Sequence, residues 1–216
     1  MIRAVVFDLD GTLVDSAADL AAAVNHALRG LGLPERPVAE ITTFVGEGAS
    51  RLMERAVAPH AHLLEPGLAL WWEHYRAHLL DQTRLYPGTA ELLRSARLPI
   101  AVHTNKPGSL ARQILDGLGV LGHFTEVVGG DEAPRKPDPA GTRAILSRLG
   151  VPPAEAVYVG DSVVDLELAR AVPMPLVTVT WGLVPEARLV SAGARTLVRT
   201  MEELRPWVGA ARDGSS

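Results

Sequence analysis

The chain has 216 residues, of which 47% are hydrophobic, 21% are charged and none is cysteine. That length suffices for one core domain with a modest insert, and the absence of cysteine excludes disulfide scaffolds, zinc-thiolate sites and cysteine nucleophiles. With 21 basic and 25 acidic residues the net charge is −4, and without a long basic run the chain is not expected to coat nucleic acid.

The basic residues divide into 19 Arg and two Lys, Lys106 and Lys136. Where Arg serves nearly every positive charge, the two lysines are candidates for positions that need an ammonium; codon bias against lysine is the alternative reading.

Residues 2–7 are apolar apart from Arg3 and β-branched at Ile2, Val5 and Val6, so a buried strand is expected there. The run is too short for a signal peptide or a membrane span, and a cytoplasmic protein without membrane association is expected. The strand stops at Asp8-Leu9-Asp10-Gly11-Thr12.

Residues 15–83 show helical periodicity and no convincing strand. Ala17, Leu20, Ala21, Val24 and Leu28 share one helical face, and Ser16 with Asp19 three residues on reads as a capping box. Gly30, Gly32 and Pro34 end that helix; further helices are expected at 37–44, 49–57 and 63–80. Tyr86-Pro87-Gly88 marks the return to alternating structure.

Apolar runs at 98–103, 126–128, 156–159 and 176–179 then alternate with helical stretches at 109–118, 140–149 and 163–171. Strand, helix, strand repeated in this way predicts an α/β fold with a doubly wound, Rossmann-like parallel sheet. The sheet domain comprises residues 1–14 and 84–216, and an α-helical domain of residues 15–83 is inserted in it. A frayed tail is expected at 213–216.

Asp8 and Asp10, two apart at the end of a strand, point to the same side. Two carboxylates so placed repel unless a cation or a shared proton intervenes; the alternative is an Asx-rich turn closed by Gly11. Thr104 follows the strand at 98–103, Lys136 stands in Lys136-Pro137-Asp138-Pro139, and Asp161 and Asp165 follow the strand at 156–159. All lie at or near carboxyl ends of strands, where ligands bind in such sheets.

These residues resemble the four motifs of the aspartate-nucleophile phosphohydrolases of the haloacid dehalogenase superfamily: Asp-x-Asp-Gly-Thr, a Thr, a Lys, and Gly-Asp-x-x-x-Asp. The resemblance spans essentially the whole chain, and residues 15–83 look like the family's cap domain. It implies a phosphomonoester hydrolase in which Asp8 attacks phosphorus and Asp10 is the general acid and base. Mg²⁺ would bridge Asp8, the Asp10 backbone carbonyl and Asp161.

Thr104, Asn105 and Lys136 would bind the phosphate, and Asp165 would orient Mg²⁺ or Lys136. For Asn105 and Lys106 the residue chemistry alone gives no mechanistic role.

Asp10 disfavours dehalogenation, and the lysine-free insert excludes a Schiff-base phosphonatase. Val45-Gly46-Glu47-Gly48-Ala49, Thr104-Asn105-Lys106-Pro107, Gly129-Gly130-Asp131 and Thr180-Trp181-Gly182 resemble the phosphoglycolate phosphatase subgroup. The chain departs from that pattern at His103, in place of an apolar residue, at Pro173, where a glycine is usual, and in a loop 133–136 one residue short.

Substrate contacts are expected from Gly46, Glu47, Gly48 and Arg51, with Arg55 and Arg76 as further cations. His74 and His78, four apart, have a spacing compatible with a metal and are expected as surface histidines. A β-phosphoglucomutase-like mutase and a phospho-accepting signalling switch are the alternatives. The expected partner is a small phosphorylated metabolite, and the chain is expected to be a monomer or a homodimer.

Overall fold

The computed structural model describes residues 1–210; the tail expected at 213–216 lies outside them. The first strand, β1 (Ala4–Phe7), is buried along its whole length. A two-residue strand β2 (Val14–Asp15) follows, and four helices come before the next strand: α1 (Ala17–Gly30), α2 (Val38–Thr42), α3 (Ala49–Val57) and α4 (Leu64–Ala77). Strand β3 (Arg84–Leu85) then pairs antiparallel with β2, Val14 opposite Leu85 and Asp15 opposite Arg84. This short ribbon closes the base of the helical insert.

The remainder alternates: α5 (Thr89–Ser95), β4 (Ile100–His103), α6 (Gly108–Gly117), β5 (Glu126–Val128), α7 (Ala140–Leu149), β6 (Ala156–Gly160), α8 (Val163–Ala171), β7 (Leu176–Val179), α9 (Glu186–Ser191) and β8 (Leu197–Val198). Six strands form one parallel sheet in the order β5-β4-β1-β6-β7-β8. The chain works outward from β1 through β4 to β5 and then returns to the other side of β1 with β6. The order therefore reverses between β1 and β6, and at such a reversal the flanking loops diverge and leave a crevice.

Burial on both faces accounts for the continuous apolar strands. Val5 and Phe7 of β1 join Val102, Val157 and Val159 in a core that extends through α6 into α1, α3 and α4. Ala4 and Val6 point the other way, with Ala101 and Tyr158, onto Ile145 and Leu146 of α7 and Leu168 of α8. Within the insert, α1 packs chiefly against α4, and α3 also packs on α4.

Several expectations shift. The capping box expected at Ser16 and Asp19 is not formed: the Ser16 hydroxyl donates to Asp10 Oδ1 at 2.5 Å, and the helix start has no side-chain cap. Asp19 instead accepts from the backbone N–H of Gln82 and of Thr83 and from the Thr83 hydroxyl, at 2.7–3.0 Å. It ties the start of α1 to the segment that leaves the insert. A capping box does open α8, between Ser162 and Asp165.

The short strands β2, β3 and β8 and the helices α5 and α9 have no counterpart in the expected elements. Pro173, the position departing from glycine, follows α8 with φ +29°. The N–H of Met174 closes onto the carbonyl of Ala169 at 3.0 Å. This is the left-handed helix exit that glycine supplies without strain.

Candidate active site

The carboxyl ends of β1, β4 and β6 bring Asp8, Thr104 and Asp161 together, and the loop before α7 adds Lys136. All four side chains are buried. Lys136 Nζ lies 2.8 Å from Asp8 Oδ1, 2.8 Å from Asp165 Oδ1 and 3.2 Å from the Tyr158 hydroxyl. Burial works against its charge, but Asp165, Asp8 and Tyr158 outweigh it and hold the ammonium well above the ordinary lysine range.

Asp8, Asp161 and Asp165 each offer a carboxylate oxygen within 4.8 Å of the others, all buried. Desolvation, opposed by Lys136 and reinforced by Asp165, pushes the Asp8 carboxyl up to about 7. Desolvation first, then Asp8 and Asp165, raises Asp161 well above the carboxylate range. One lysine cannot neutralise three buried carboxylates, and an all-oxygen donor set suits a hard divalent cation. The residues fit that cation.

Asp161 is tightly held. Its Oδ1 accepts from the Thr12 hydroxyl at 3.1 Å and its Oδ2 from the Leu183 N–H at 2.7 Å. Gly11, at φ +85°, and Gly182 pass so close that a Cβ on either would come within 2.2–2.3 Å of this carboxylate. Asp165 is occupied on both oxygens, by Lys136 and by the Ser162 N–H and hydroxyl. Asp165 therefore orients Lys136 while capping α8. The Asp10 carboxylate lies outside the acidic cluster, its Oδ1 engaged by Ser16 and, at 3.1 Å, by Lys106.

The Thr104 hydroxyl accepts the N–H of Lys106 at 3.2 Å, which leaves its own proton for a ligand. Asn105 lines the cavity beside Thr104, with its side chain turned to backbone partners, so a phosphate contact of the kind the sequence resemblance implies falls to its main chain. Its amide donates to the carbonyls of Gly46 and Lys136, at 2.9 and 3.1 Å, and its oxygen accepts the Lys136 N–H at 2.8 Å. Both side-chain donors are used, so Asn105 clamps the insert's 46–48 loop to the loop of Lys136.

Gly46 and Gly48 line a cavity with Asp8, Asp10, Thr104 and Lys106. Arg51 and Glu47 do not reach it. Arg51 is exposed and paired with Glu54 at 2.6 Å, and Glu47 is bound by Arg55. Arg76 lies over the Trp72 ring.

His26, His74 and His78 stack face to face, with centroids 4.5 and 4.3 Å apart. In-plane lone pairs on parallel rings do not converge on one ion, so the His74–His78 spacing makes no metal site.

Two participants escaped the sequence reading. Tyr158, in mid-strand, accepts from Lys136 and donates to the His103 carbonyl at 2.8 Å; a phenol in a buried strand was a signal, since its hydroxyl needs a partner. Tyr75 of α4 meets Lys106 at 2.5 Å. His103 itself is buried, with Nδ1 on the Thr142 hydroxyl at 2.8 Å, and burial pushes it down to about 3, a neutral imidazole.

The family model for haloacid dehalogenase-like hydrolases matches residues 2–172. The chain is similar to a phosphoglycolate phosphatase of Chromobacterium violaceum, 39% identical over 94% of this chain and 95% of that one. A phosphoglycolate phosphatase of Cereibacter sphaeroides is 43% identical over 82% and 85% of the two chains. Among solved structures, a protein of Lactobacillus delbrueckii subsp. bulgaricus superimposes with a TM-score of 0.90 at 29% identity, covering 95% of this chain and 98% of the other. A haloacid dehalogenase-like family hydrolase of Streptococcus pneumoniae does so with 0.87 at 26%, covering 95% and 98%.

Proposed function

The chain belongs to the haloacid dehalogenase-like hydrolases and is a phosphatase, and we propose that it hydrolyses 2-phosphoglycolate through a phosphorylated Asp8. The observation that carries this reading is the Lys136 ammonium on Asp8 Oδ1 at 2.8 Å. It fixes the carboxylate and leaves Oδ2 to attack phosphorus. As the new O–P bond forms, the bond from phosphorus to the ester oxygen breaks, and Asp10 gives that oxygen a proton. Asp10 then takes a proton from the water that attacks the aspartyl-phosphate, regenerating Asp8 and releasing phosphate.

Asp8, Asp161 and the Asp10 carbonyl would hold Mg²⁺, which supplies charge neutralisation on the phosphoryl oxygens. Lys136 and the Thr104 hydroxyl bind those oxygens from the protein side. Residues 15–83 serve as the cap: Val45, Leu52, Trp71 and Trp72 give the cavity an apolar wall over Asp8 and Asp10, which excludes water from the reacting atoms. With the Trp71 Nε1–H as its unpaired donor, so apolar a wall has too few partners for a ring of sugar hydroxyls, which favours a small acid over a hexose phosphate.

A panel of phosphomonoesters assayed with Mg²⁺ tests this. The highest kcat/KM is expected for 2-phosphoglycolate, with phosphate released. Isomerised sugar phosphate without net phosphate release would overturn it in favour of a mutase, and a long-lived phosphorylated protein without turnover in favour of a signalling switch.

A further inference from the structure

We propose that Lys106 is the residue that recognises the carboxylate of the substrate, an assignment that rests on the 2-phosphoglycolate reading. Among the described residues, Lys106 is the one cation lining the cavity that holds Asp8 and Asp10. Lys136, held by Asp8 and Asp165, serves the phosphoryl end, and the five arginines of the insert are turned elsewhere, Arg29 to Glu35, Arg36 to Glu40, Arg51 to Glu54, Arg55 to Glu47 and Arg76 to the Trp72 face.

Lys106 is buried, yet three groups fix its ammonium. The Tyr75 hydroxyl lies at 2.5 Å, the Tyr75 ring centroid at 4.7 Å and Asp10 Oδ1 at 3.1 Å. Tyr75 comes from the insert and Asp10 from the sheet, so the charge sits at the junction of the two.

Its position relative to Asp10 gives the specificity. An ester oxygen within hydrogen-bond reach of Asp10 carries, in 2-phosphoglycolate, a carboxylate one methylene away. That carboxylate falls beside an ammonium already 3.1 Å from Asp10. A longer substrate would direct its distal charge past Lys106 into the wall of Leu52, Trp71 and Trp72. In the same wall the Trp71 Nε1–H is buried without a partner, a second donor for which the protein supplies no acceptor. Lysine suits this place because a compact ammonium can be shared among a phenol, a carboxylate and a ligand, which a guanidinium fork cannot do in so small a space.

The test compares two esters that differ in the carboxylate, 2-phosphoglycolate and ethyl phosphate, in the wild type and in Lys106→Met. Any loss transmitted through Asp10 is common to both substrates and cancels in their ratio. The ratio of kcat/KM is expected to fall at least tenfold in the variant, with KM for 2-phosphoglycolate rising. If Lys106→Met does not fold, Lys106→Gln, which keeps a polar partner for Tyr75 and Asp10, is expected to show the same fall.

An unchanged ratio, with both substrates losing activity in parallel, would overturn the assignment and leave Lys106 a positioning residue for Asp10. A wild type with no preference for 2-phosphoglycolate over ethyl phosphate would overturn the substrate reading itself and the assignment with it.

Discussion

The Lys136 ammonium stands 2.8 Å from Asp8 Oδ1 with its side chain only 2% exposed. Among the described residues it is the single cation in contact with a cluster of three buried carboxylates. Removing it with Lys136→Met leaves those charges uncompensated, so the metal-free protein is expected to lose about 3–5 kcal/mol of stability, as breaking a buried pair does. Urea denaturation with and without Mg²⁺ checks this; a metal-free midpoint equal to wild type would contradict it.

The raised Asp8 carboxyl makes the metal-free protein sensitive to pH. An acid whose pKa rises from the ordinary 3.8 to about 7 on folding binds its proton more tightly when folded, so its contribution is full below about pH 4. That contribution is lost as the pH rises to about 7 and stays lost above. A divalent cation binds the ionised form, so the gain in Tm from Mg²⁺ over chelator is expected to grow through this interval. A constant gain between pH 5 and 8 would contradict the charge argument.

Asp8→Asn removes the proposed nucleophile and one charge of the cluster together. Turnover is expected to fall at least about 10⁴-fold, while the melting temperature in chelator rises. A variant with activity near wild type would end the nucleophile assignment.

Asp19→Ala removes an acceptor that holds two backbone N–H groups and the Thr83 hydroxyl where the insert rejoins the sheet. Orphaning buried donors on this scale costs about 2–4 kcal/mol. Chemical denaturation measures the loss, and hydrogen exchange should show Gln82 and Thr83 deprotected first.

Pro173→Gly should stabilise the protein. At φ +29° the proline is far from the value its ring prefers, near −65°. Relief of that strain, less the added freedom of the unfolded chain, is worth about 1 kcal/mol. A lowered Tm would show that the proline is accommodated without strain.

The sheet was legible because buried parallel strands leave unbroken apolar runs, and β5 (Glu126–Val128) and β7 (Leu176–Val179) fall at the expected residues. So were α3, α7 and α8, whose bounds also coincide with expectation. What escaped depends on long-range partners. Ser16 looks like a cap for its own helix until Asp10, six residues back, takes its hydroxyl. The Ser162-x-x-Asp165 spacing was an equally good capping signal, masked because Asp165 also matches an acidic motif. No local pattern ties Lys106 to Tyr75, 31 residues earlier, and the two residues of β8 are too few for any periodicity to register.

Asn105 holds the Gly46 carbonyl and Lys106 holds the Tyr75 hydroxyl, while Thr104 immediately before them lines the cavity of Asp8 and Asp10. Three consecutive residues thus report on the insert and on the ligand together. The insert cannot lift as a passive cover. Its departure would pull on the tripeptide that carries the Thr104 hydroxyl, so loosening at the 46–48 loop or at α4 is expected to register as slower chemistry and not only as weaker binding.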